Sequence, residues 1–327
     1  MTQPPPAEGS RLPWQAIPAH LRARVESLLG GSVQSAHTQP GGFSPGVAAR
    51  LTLRTGRRAF VKAVGDLNPD SPDLHRAEAR IAAALPAQTP APRFLGCVDA
   101  DGWVILAYED VDGRQPAQPW RRQELTRVLD AIADLAAALT PAPIEAPPAA
   151  TRYRHVGRGW QDLAAAAARG ADDLVGLAPW ARDRLEELAT LERNRWAAAV
   201  SGTTLAHGDV RADNILLTRG RVLFVDWPWA CLAPRWFDLV AMLPSVAMQG
   251  GPPPEQVLAV HRVARGADPD DVTTAVAALA GVWTFLGRRP DPPGLPTLRA
   301  FQRAQAVVEL DWLAQRLAFA SSRLGLG

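Results

Sequence analysis

The chain has 327 residues, with 47% hydrophobic and 21% charged side chains, a balance typical of a folded globular protein. Its net charge of +2 does not favour a nucleic-acid-binding surface, and no apolar run approaches the roughly 20 residues that a membrane span needs. Residues 1–10 are polar and Pro-rich, unlike a signal peptide, and Cys97 and Cys231 lie in apolar stretches typical of free buried thiols. We therefore expect a cytoplasmic protein of one large or two medium domains, with no nucleic-acid or membrane partner.

Short strands and two helices are predicted in the first third of the chain. Residues 18–29 predict a helix, and residues 32–38 and 47–54 predict strands. The sequence Gly-Gly-Phe-Ser-Pro-Gly lies between these strands at residues 41–46. Glycines let backbone N–H groups approach phosphate oxygens closely, although Pro45 has no N–H to donate. An ordinary hairpin turn is the alternative for this segment.

Lys62 is the only lysine among the 35 Lys and Arg residues, and it lies in an apolar stretch at residues 59–64 that predicts a strand. Arg is a wide planar fork whereas Lys is a compact point charge, so a single retained lysine indicates a site that accepts only the smaller cation. A surface lysine left by chance is the alternative. Residues 72–85 predict the next helix, in which Glu78 is the candidate carboxylate partner and Asp73 its rival. Glu78 could instead form only weak surface pairs with nearby arginines.

The pattern changes from strands to helices after residue 108. Residues 93–98 and 103–108 predict two more strands, and an acidic segment follows at residues 109–113. Apolar residues then recur at helical spacing through residues 120–139, and residues 140–150 contain four prolines and predict a loop. Further helices are predicted at about residues 158–168, 179–200, 234–247, 254–265, 270–287 and 296–324.

The most specific pattern is His-Gly-Asp-Val-Arg-Ala-Asp-Asn at residues 207–214, followed after two apolar runs by Asp226. The apolar runs predict two short strands joined by a turn at residues 218–221. Because a hairpin returns the chain to the end at which it began, Asn214 and Asp226 are expected to lie together, as a shared metal ion requires. Asp209 is placed to accept the proton of an attacking hydroxyl. A chance turn rich in His, Asp and Asn is the alternative.

This spacing is the catalytic-loop pattern of kinases, and its His-Gly-Asp form resembles the aminoglycoside phosphotransferase and choline kinase family. The resemblance extends from about residue 41 to residue 243 and includes Phe237-Asp238-Leu239. It implies an α+β fold of the bilobal protein-kinase type, with a small sheet-rich N-lobe at residues 1–110 and a helical C-lobe at residues 111–327. It also implies a phosphotransferase that uses ATP and Mg²⁺, with Asn214 and Asp226 as the metal ligands.

The resemblance further assigns residues to the nucleotide. Lys62, paired with Glu78, would orient the phosphates, and the loop that contains Gly42 and Ser44 would cover them. Backbone groups of Glu109 and Val111 would bind an adenine at the hinge between the lobes. Tyr108 would lie behind that base, and an ordinary acidic turn is the alternative for the hinge.

The remaining loop residues receive supporting roles in the same way. Asp209 would act as the base, and Arg211 would neutralise the transferred phosphoryl group, with a solvent-facing arginine as an equal alternative. His207 is expected to brace the loop, Asp213 to bind loop N–H groups, and Asp238 to support the backbone of the loop from the next helix.

The phosphate acceptor is expected to be a small hydroxylated molecule. Only eleven residues separate Asp226 from Asp238, and the Ala-Pro-Glu motif of protein kinases is absent from the sequence, so a peptide platform has no room. Glu309 and Asp311 are candidate acceptor ligands, with a solvated helix face as the alternative. Arg288 and Arg289 could bind an anionic acceptor or simply end a helix.

Aromatic residues could also line the acceptor pocket or form a cage for a quaternary amine, although at most one or two tryptophans are expected there. The tryptophans considered are Trp227, Trp229, Trp236, Trp283 and Trp312. Resistance to an aminoglycoside, metabolism of an amino alcohol, amino acid or sugar, and nucleotide binding without turnover remain open as functions. The oligomeric state and the preference for ATP over GTP are also open.

Overall fold

Strands dominate the first part of the chain and helices the rest. The computed structural model describes residues 11–40, 46–65, 71–293 and 295–323, with side chains as far as Ala318. Gly42 and Ser44 lie outside the described residues. The described strands are β1 (Arg11–Leu12), β2 (Val33–Thr38), β3 (Gly46–Leu53), β4 (Arg58–Val64), β5 (Phe94–Ala100), β6 (Trp103–Glu109), β7 (Thr204–Ala206), β8 (Ile215–Leu217), β9 (Val222–Phe224) and β10 (Cys231–Ala233).

The first six strands form one sheet in the order β1-β3-β4-β6-β5, with β2 also paired to β3. β1 runs parallel to β3, and the other pairs are antiparallel. The four strands in the remaining part form two small pairs, β7 with β10 and β8 with β9. The β8–β9 pair is the hairpin predicted after the catalytic segment.

Alternation along β4 decides which way Lys62 points. Ala59, Val61 and Ala63 are buried in the hydrophobic core that the sheet forms with the first helix, so Phe60 and Lys62 lie on the other face. Leu21 is fully buried in the same core, which contributes roughly 1.5–3 kcal/mol for such a side chain.

Helices make up most of the chain after residue 110, which confirms the expected α+β class. The described helices are α1 (Ala19–Leu29), α2 (Ser71–Ala84), α3 (Arg122–Ala138), α4 (Ala149–Arg152), α5 (Gly159–Ala168), α6 (Pro179–Asp183), α7 (Leu185–Ala199), α8 (Phe237–Met248), α9 (Pro254–Leu258), α10 (Pro269–Gly287) and α11 (Leu298–Arg323). A large second core joins α3, α5, α7, α8 and α10.

Several predicted elements differ from the observed ones. The helix expected at 179–200 is two helices, because the chain turns at Arg184 (φ −107°, ψ 17°) without a Gly or Pro to mark the break. The helix expected at 254–265 is α9 followed by a 3₁₀ turn at Arg262–Ala264. The predicted loop at 140–150 contains the start of α4, whose first residue follows Pro148. β7 and β10, with three residues each, are too short to give an alternating pattern.

Both cysteines are free, as expected, although only Cys231 is fully buried and Cys97 is half-buried. Within the described ranges, no helix combines the length and the apolar character that crossing a membrane would require.

Candidate active site

One cavity of about 730 Å³ collects the side chains that the sequence singled out. Lys62 reaches it from β4 and Glu78 from α2. Asp209, Asn214 and Asp226 reach it from the segments around the β8–β9 hairpin. Residues far apart in the sequence therefore share one cavity.

Lys62 is held between two carboxylates. Its Nζ donates to Asp226 Oδ1 at 2.6 Å and forms an ion pair with Glu78. The Tyr108 hydroxyl donates to the other side of Glu78, at 2.7 Å from Oε1. Asp73, the alternative partner considered from the sequence, is exposed and pairs with Arg76 instead. Glu78 is therefore the partner of Lys62 on α2.

Burial and charge act in opposite directions on this trio. Burial raises the pKa of Glu78, while the nearby Lys62 charge opposes that rise. Burial would also raise the pKa of Asp226, but the charge and hydrogen bond of Lys62 hold it well below its ordinary value. The pKa of Lys62 is raised, because its two carboxylate partners outweigh the effect of burial. Lys62 and Asp226 thus stay charged at neutral pH.

The predicted catalytic loop spans residues 207–214, and Asp238 at the start of α8 supports its backbone. The Asp238 carboxylate accepts hydrogen bonds from the N–H groups of His207, at 2.8 Å, and Gly208, at 2.7 Å.

The His207 ring bridges two segments, since Nε2 donates to the Val225 carbonyl at 2.9 Å and Nδ1 accepts from the Asp209 N–H at 3.2 Å. Burial lowers the pKa of His207 to about 4, so the ring is neutral and carries its proton on Nε2. The predictions that His207 and Asp238 brace this loop are confirmed.

Asp209 is anchored by two neighbours. Arg211 Nη1 donates to Asp209 Oδ1 at 2.8 Å, and Asn214 Nδ2 donates to Oδ2 at 3.1 Å. Burial raises the pKa of Asp209 to about 7, and the Arg211 charge opposes the rise. A carboxylate with this pKa is well matched to proton transfer near neutral pH.

One alternative and one expectation for this loop are wrong. Arg211 is not solvent-facing: its side chain is 18% exposed and forms a second ion pair with Asp213, at 2.9 Å. Asp213 binds that guanidinium through both oxygens instead of loop N–H groups. A neighbouring arginine competes better than neutral N–H donors for a carboxylate, because charge-assisted bidentate hydrogen bonds are stronger.

Asn214 and Asp226 have the oxygen donors that Mg²⁺ prefers. Asn214 Nδ2 is used by Asp209, which leaves Oδ1 without a hydrogen bond among the described residues. The Val225 N–H donates to the Asn214 carbonyl at 2.9 Å, so the hairpin ties the two candidate ligands together. Asp226 has a positive φ of 69°, a strained conformation for a non-glycine residue that often marks a functional position. No cluster of three or more His, Cys, Asp and Glu residues that could hold a metal occurs in the described ranges.

The predicted hinge begins at the last residue of β6 and lines the cavity through Glu109 and Val111. The Glu109 N–H donates to the Arg93 carbonyl at 2.9 Å, so only its carbonyl remains for a base. The Val111 carbonyl accepts from Gly113 N–H at 3.0 Å and from Arg50 at 3.1 Å. Its N–H has no hydrogen bond within the described part of the chain. Tyr108 is buried and its hydroxyl is used by Glu78.

Arg11 and His75 are among the cavity residues that sequence reasoning missed. Arg11 lines the cavity because β1 pairs with β3 at Gly46 and Val47, and its charge interacts with Asp226. His75 lies on α2 one turn before Glu78, and its Nδ1 contacts the Ser71 carbonyl at 3.0 Å. Burial lowers the pKa of His75 to about 3, so it is neutral. An i, i+3 relation to Glu78 could have identified His75, whereas no pattern marks Arg11.

The far end of the cavity is aromatic. Trp229 and Trp283 line it and are partly buried, in keeping with the one or two tryptophans expected. Trp227 also borders the cavity but is core, as are Trp236 and Trp312. Tyr153 stacks on Trp229 with ring centroids 5.5 Å apart.

The charged acceptor candidates do not reach this wall. Glu309 is fully buried beside Gln305, Asp311 is exposed, and neither lines the cavity. Residues 298, 301, 302 and 305 of α11 line the cavity, and Glu309 continues the same helix face one turn further on, where it is buried in the core. Asp311 lies on a different face of the helix and is exposed. Arg288 pairs with Asp172 at 2.7 Å and is likewise outside the cavity.

Comparison with known proteins identifies the fold first. The structure resembles a choline kinase from Streptococcus pneumoniae at 15% identity, with a TM-score of 0.57 over 90% of this chain and 98% of that one. It also resembles a macrolide 2'-phosphotransferase from Brachybacterium faecium at 18% identity, with a TM-score of 0.52 over 89% of this chain and 98% of that one. The fold is therefore the kinase-like one that the sequence implied.

The family follows from the sequence. The profile of the phosphotransferase enzyme family matches residues 40–279, and the chain belongs to that family. An aminoglycoside 3'-phosphotransferase from Streptomyces fradiae is 33% identical over 142 residues, which cover 40% of this chain and 48% of that protein. The match thus spans about half the length of this curated relative.

Proposed function

We propose that the protein transfers the γ-phosphoryl group of ATP to a hydroxyl of a small molecule, with Mg²⁺. The observation that carries the proposal is the ion-paired trio of Lys62, Glu78 and Asp226 in one cavity with Asp209 and Asn214. An ammonium group, a basic carboxylate and two oxygen ligands are the groups that phosphoryl transfer needs. Family membership supports the same chemistry.

Each residue has a distinct role in this scheme. Asp209 accepts the proton of the acceptor hydroxyl, whose oxygen bonds to the γ-phosphorus as the bond to the β–γ bridging oxygen breaks and ADP leaves. Lys62, oriented by Glu78, holds the phosphates, and Asn214 and Asp226 hold Mg²⁺. The bound ion neutralises negative charge on the phosphate oxygens. Arg211 keeps Asp209 in place and lowers the pKa of its carboxyl group. It would also neutralise charge on the transferred phosphoryl group.

The nucleotide would lie along the sheet. The Glu109 carbonyl and the Val111 N–H are the groups that we assign to the adenine, and Gly42 and Ser44 to the phosphates. In this proposal the lobe boundary falls between residues 110 and 111, so the base binds where the lobes join. Cytoplasmic location, where ATP is abundant, belongs to the same proposal.

Removal of the base tests the proposal. ADP formation is measured with ATP, Mg²⁺ and a panel of hydroxylated acceptors that includes aminoglycosides, macrolides, choline and sugars. With an acceptor that turns over, Asp209→Asn should lower kcat by about 10²–10⁴-fold, because general-base catalysis is lost. ATP affinity, measured by calorimetry, should change by less than about twofold.

The matched control is Asp134→Asn, which removes an exposed carboxylate paired with Arg262. It should leave the rate unchanged. A wild-type rate in Asp209→Asn would remove Asp209 as the base. ATP binding without ADP formation from any acceptor would favour the alternative of a binding module without turnover.

A further inference from the structure

The acceptor end of the cavity is poor in charge for a site that would bind a cation, and its polar groups are amides. Its wall includes His155, Trp229, Trp283, Phe301, Gln302 and Gln305. From residue 227 to the end of the described chain, no Asp or Glu lines the cavity. Two cavity carboxylates that precede residue 227, Asp209 and Asp213, are both paired with Arg211. An amine-rich ligand would therefore find no Asp or Glu on this wall, and the proposed base already has a cationic partner.

The aromatic rings do not form a free cage for a cation either. The Arg152 guanidinium lies 4.8 Å from the Trp229 ring centroid, and the Arg211 guanidinium lies 5.9 Å from that of Phe301. Tyr153 also stacks on Trp229. A ligand cation placed beside these rings would be repelled by the guanidinium groups already there. Burial lowers the pKa of His155, so this imidazole adds no charge at neutral pH.

Two glutamines supply the polar groups of this wall. Gln302 and Gln305 are 5% and 4% exposed. Arg299 donates to Gln302 Oε1 at 2.7 Å, and Gln305 Nε2 donates to Glu309 at 3.4 Å. Gln302 Nε2 and Gln305 Oε1 have no hydrogen bond among the residues described, so one donor and one acceptor group remain for a ligand. Buried amides of this kind match hydroxyl or carbonyl groups.

We propose that the acceptor is an uncharged hydroxylated compound with an apolar ring, rather than a polycation or a quaternary amine. The ring lies against the aromatic wall, the two glutamines bind its polar substituents, and one hydroxyl faces Asp209. This inference rests on the proposed function, because Asp209 defines where the reacting hydroxyl lies.

The test compares matched ligands that differ by one charge. Calorimetry with the ADP-bound protein measures the affinity of a series of aryl β-D-glucosides and of their 2-amino-2-deoxy counterparts, beside choline and kanamycin. The best uncharged glucoside should bind at least about tenfold more tightly than its amino counterpart and than either cation. Equal or tighter binding of any cationic compound overturns the inference, and so does the absence of binding by every uncharged member.

A variant tests the wall itself. Gln305→Glu should raise the affinity of the amino compounds and reduce the preference for the uncharged ones, whereas Gln256→Glu, at an exposed position outside the cavity, should not. An unchanged preference in Gln305→Glu, with an unchanged Tm, would contradict the assigned surface. ADP formation is recorded in parallel. If the uncharged ligands bind selectively but no compound of this series or of the acceptor panel gives ADP, the ligand preference of the wall stands and the proposed function fails, so the two failures are distinguishable.

Discussion

Asp209 shows how one neighbour sets the properties of a residue. Burial raises its pKa to about 7, and the Arg211 charge keeps the value from rising further. The sequence located both residues, but only the structure showed that Arg211 binds Asp209 and Asp213 together. Side-chain pairing inside a loop depends on rotamers and burial, which residue spacing does not specify.

The pairing predicts a change in pH dependence. In the proposed mechanism Asp209 must be ionised, so kcat/KM should rise with pH through about 7 and then level off. Arg211→Gln removes the charge that lowers this pKa, so the rising limb should move to higher pH, and kcat/KM at low pH should fall by up to about tenfold. Arg262→Gln, at an exposed ion pair, is the control. A lower kcat with an unmoved limb would show that Arg211 acts on the phosphoryl group alone.

Lys62 is the residue for which composition was most informative. Among 35 Lys and Arg residues it is the single lysine, its retention predicted a site for a compact cation, and its Nζ indeed lies between two carboxylates. The same composition gave no indication of which carboxylates these would be.

Replacement of Lys62 by arginine tests directly whether the site needs a compact cation. Lys62→Arg keeps the charge but introduces a planar fork between Glu78 and Asp226, so kcat/KM should fall by about 10²-fold, close to the loss in Lys62→Ala. Arg54→Lys, the reverse exchange at an exposed position beyond the end of β3, should have no effect. The assignment fails if Lys62→Arg retains most of the activity in steady-state assays.

At the scale of elements, the residues packed against Gly208 constrain the conformation of the predicted catalytic loop. Gly208 has a φ of +86°, and a Cβ there would overlap the Tyr153 hydroxyl and lie 2.5 Å from the Trp229 carbonyl. The glycine in the motif is thus required by both backbone conformation and space. The motif predicted the loop, but Tyr153, in a part of the chain without any motif, could not be assigned to it from the sequence.

Two Gly→Ala substitutions separate the lack of space at Gly208 from the general effect of replacing a glycine. Gly208→Ala should lower the free energy of unfolding by at least about 2 kcal/mol. If the loop instead shifts to make room for the Cβ, ADP formation should fall. Gly220→Ala, in the turn of the β8–β9 hairpin with no atom within 4 Å of the added Cβ, should stay within about 0.5 kcal/mol of wild type. Chemical denaturation measures both. Equal Tm and equal ADP formation in the two variants would show that the Tyr153 contact relaxes freely.

For the whole molecule, the helical core contains an ionisable group without a charged partner among the described residues. Glu309 is fully buried on α11, with Gln305 donating to it at 3.4 Å. Burial raises the pKa of Glu309 well above its ordinary value. Its native state therefore binds a proton that the unfolded state releases at lower pH. The stability from this group is complete below the unfolded pKa and is lost as pH rises toward the native one.

Glu309→Gln should remove that pH dependence. Between about pH 5 and pH 9 the free energy of unfolding of the wild type should fall relative to the variant, because only the wild type has a carboxyl group that burial keeps protonated. Asp311→Asn, at an exposed position of the same helix, should follow the wild-type curve. Parallel curves for wild type and Glu309→Gln would mean that this carboxyl group is not held protonated in the core.

The sequence alone determined the family, the α+β class, most helices and strands within a few residues, and the residues expected to carry the chemistry. These features are local, since motif spacing and apolar periodicity act over a few residues to a few turns. Only the tertiary structure decided that Arg11 and His75 line the cavity, that Asp213 pairs with Arg211, and that Glu309 is core rather than an acceptor ligand. It also revealed the nearly uncharged wall that contains Trp229 and Gln302, because that surface is assembled from distant segments whose side-chain directions are set by packing.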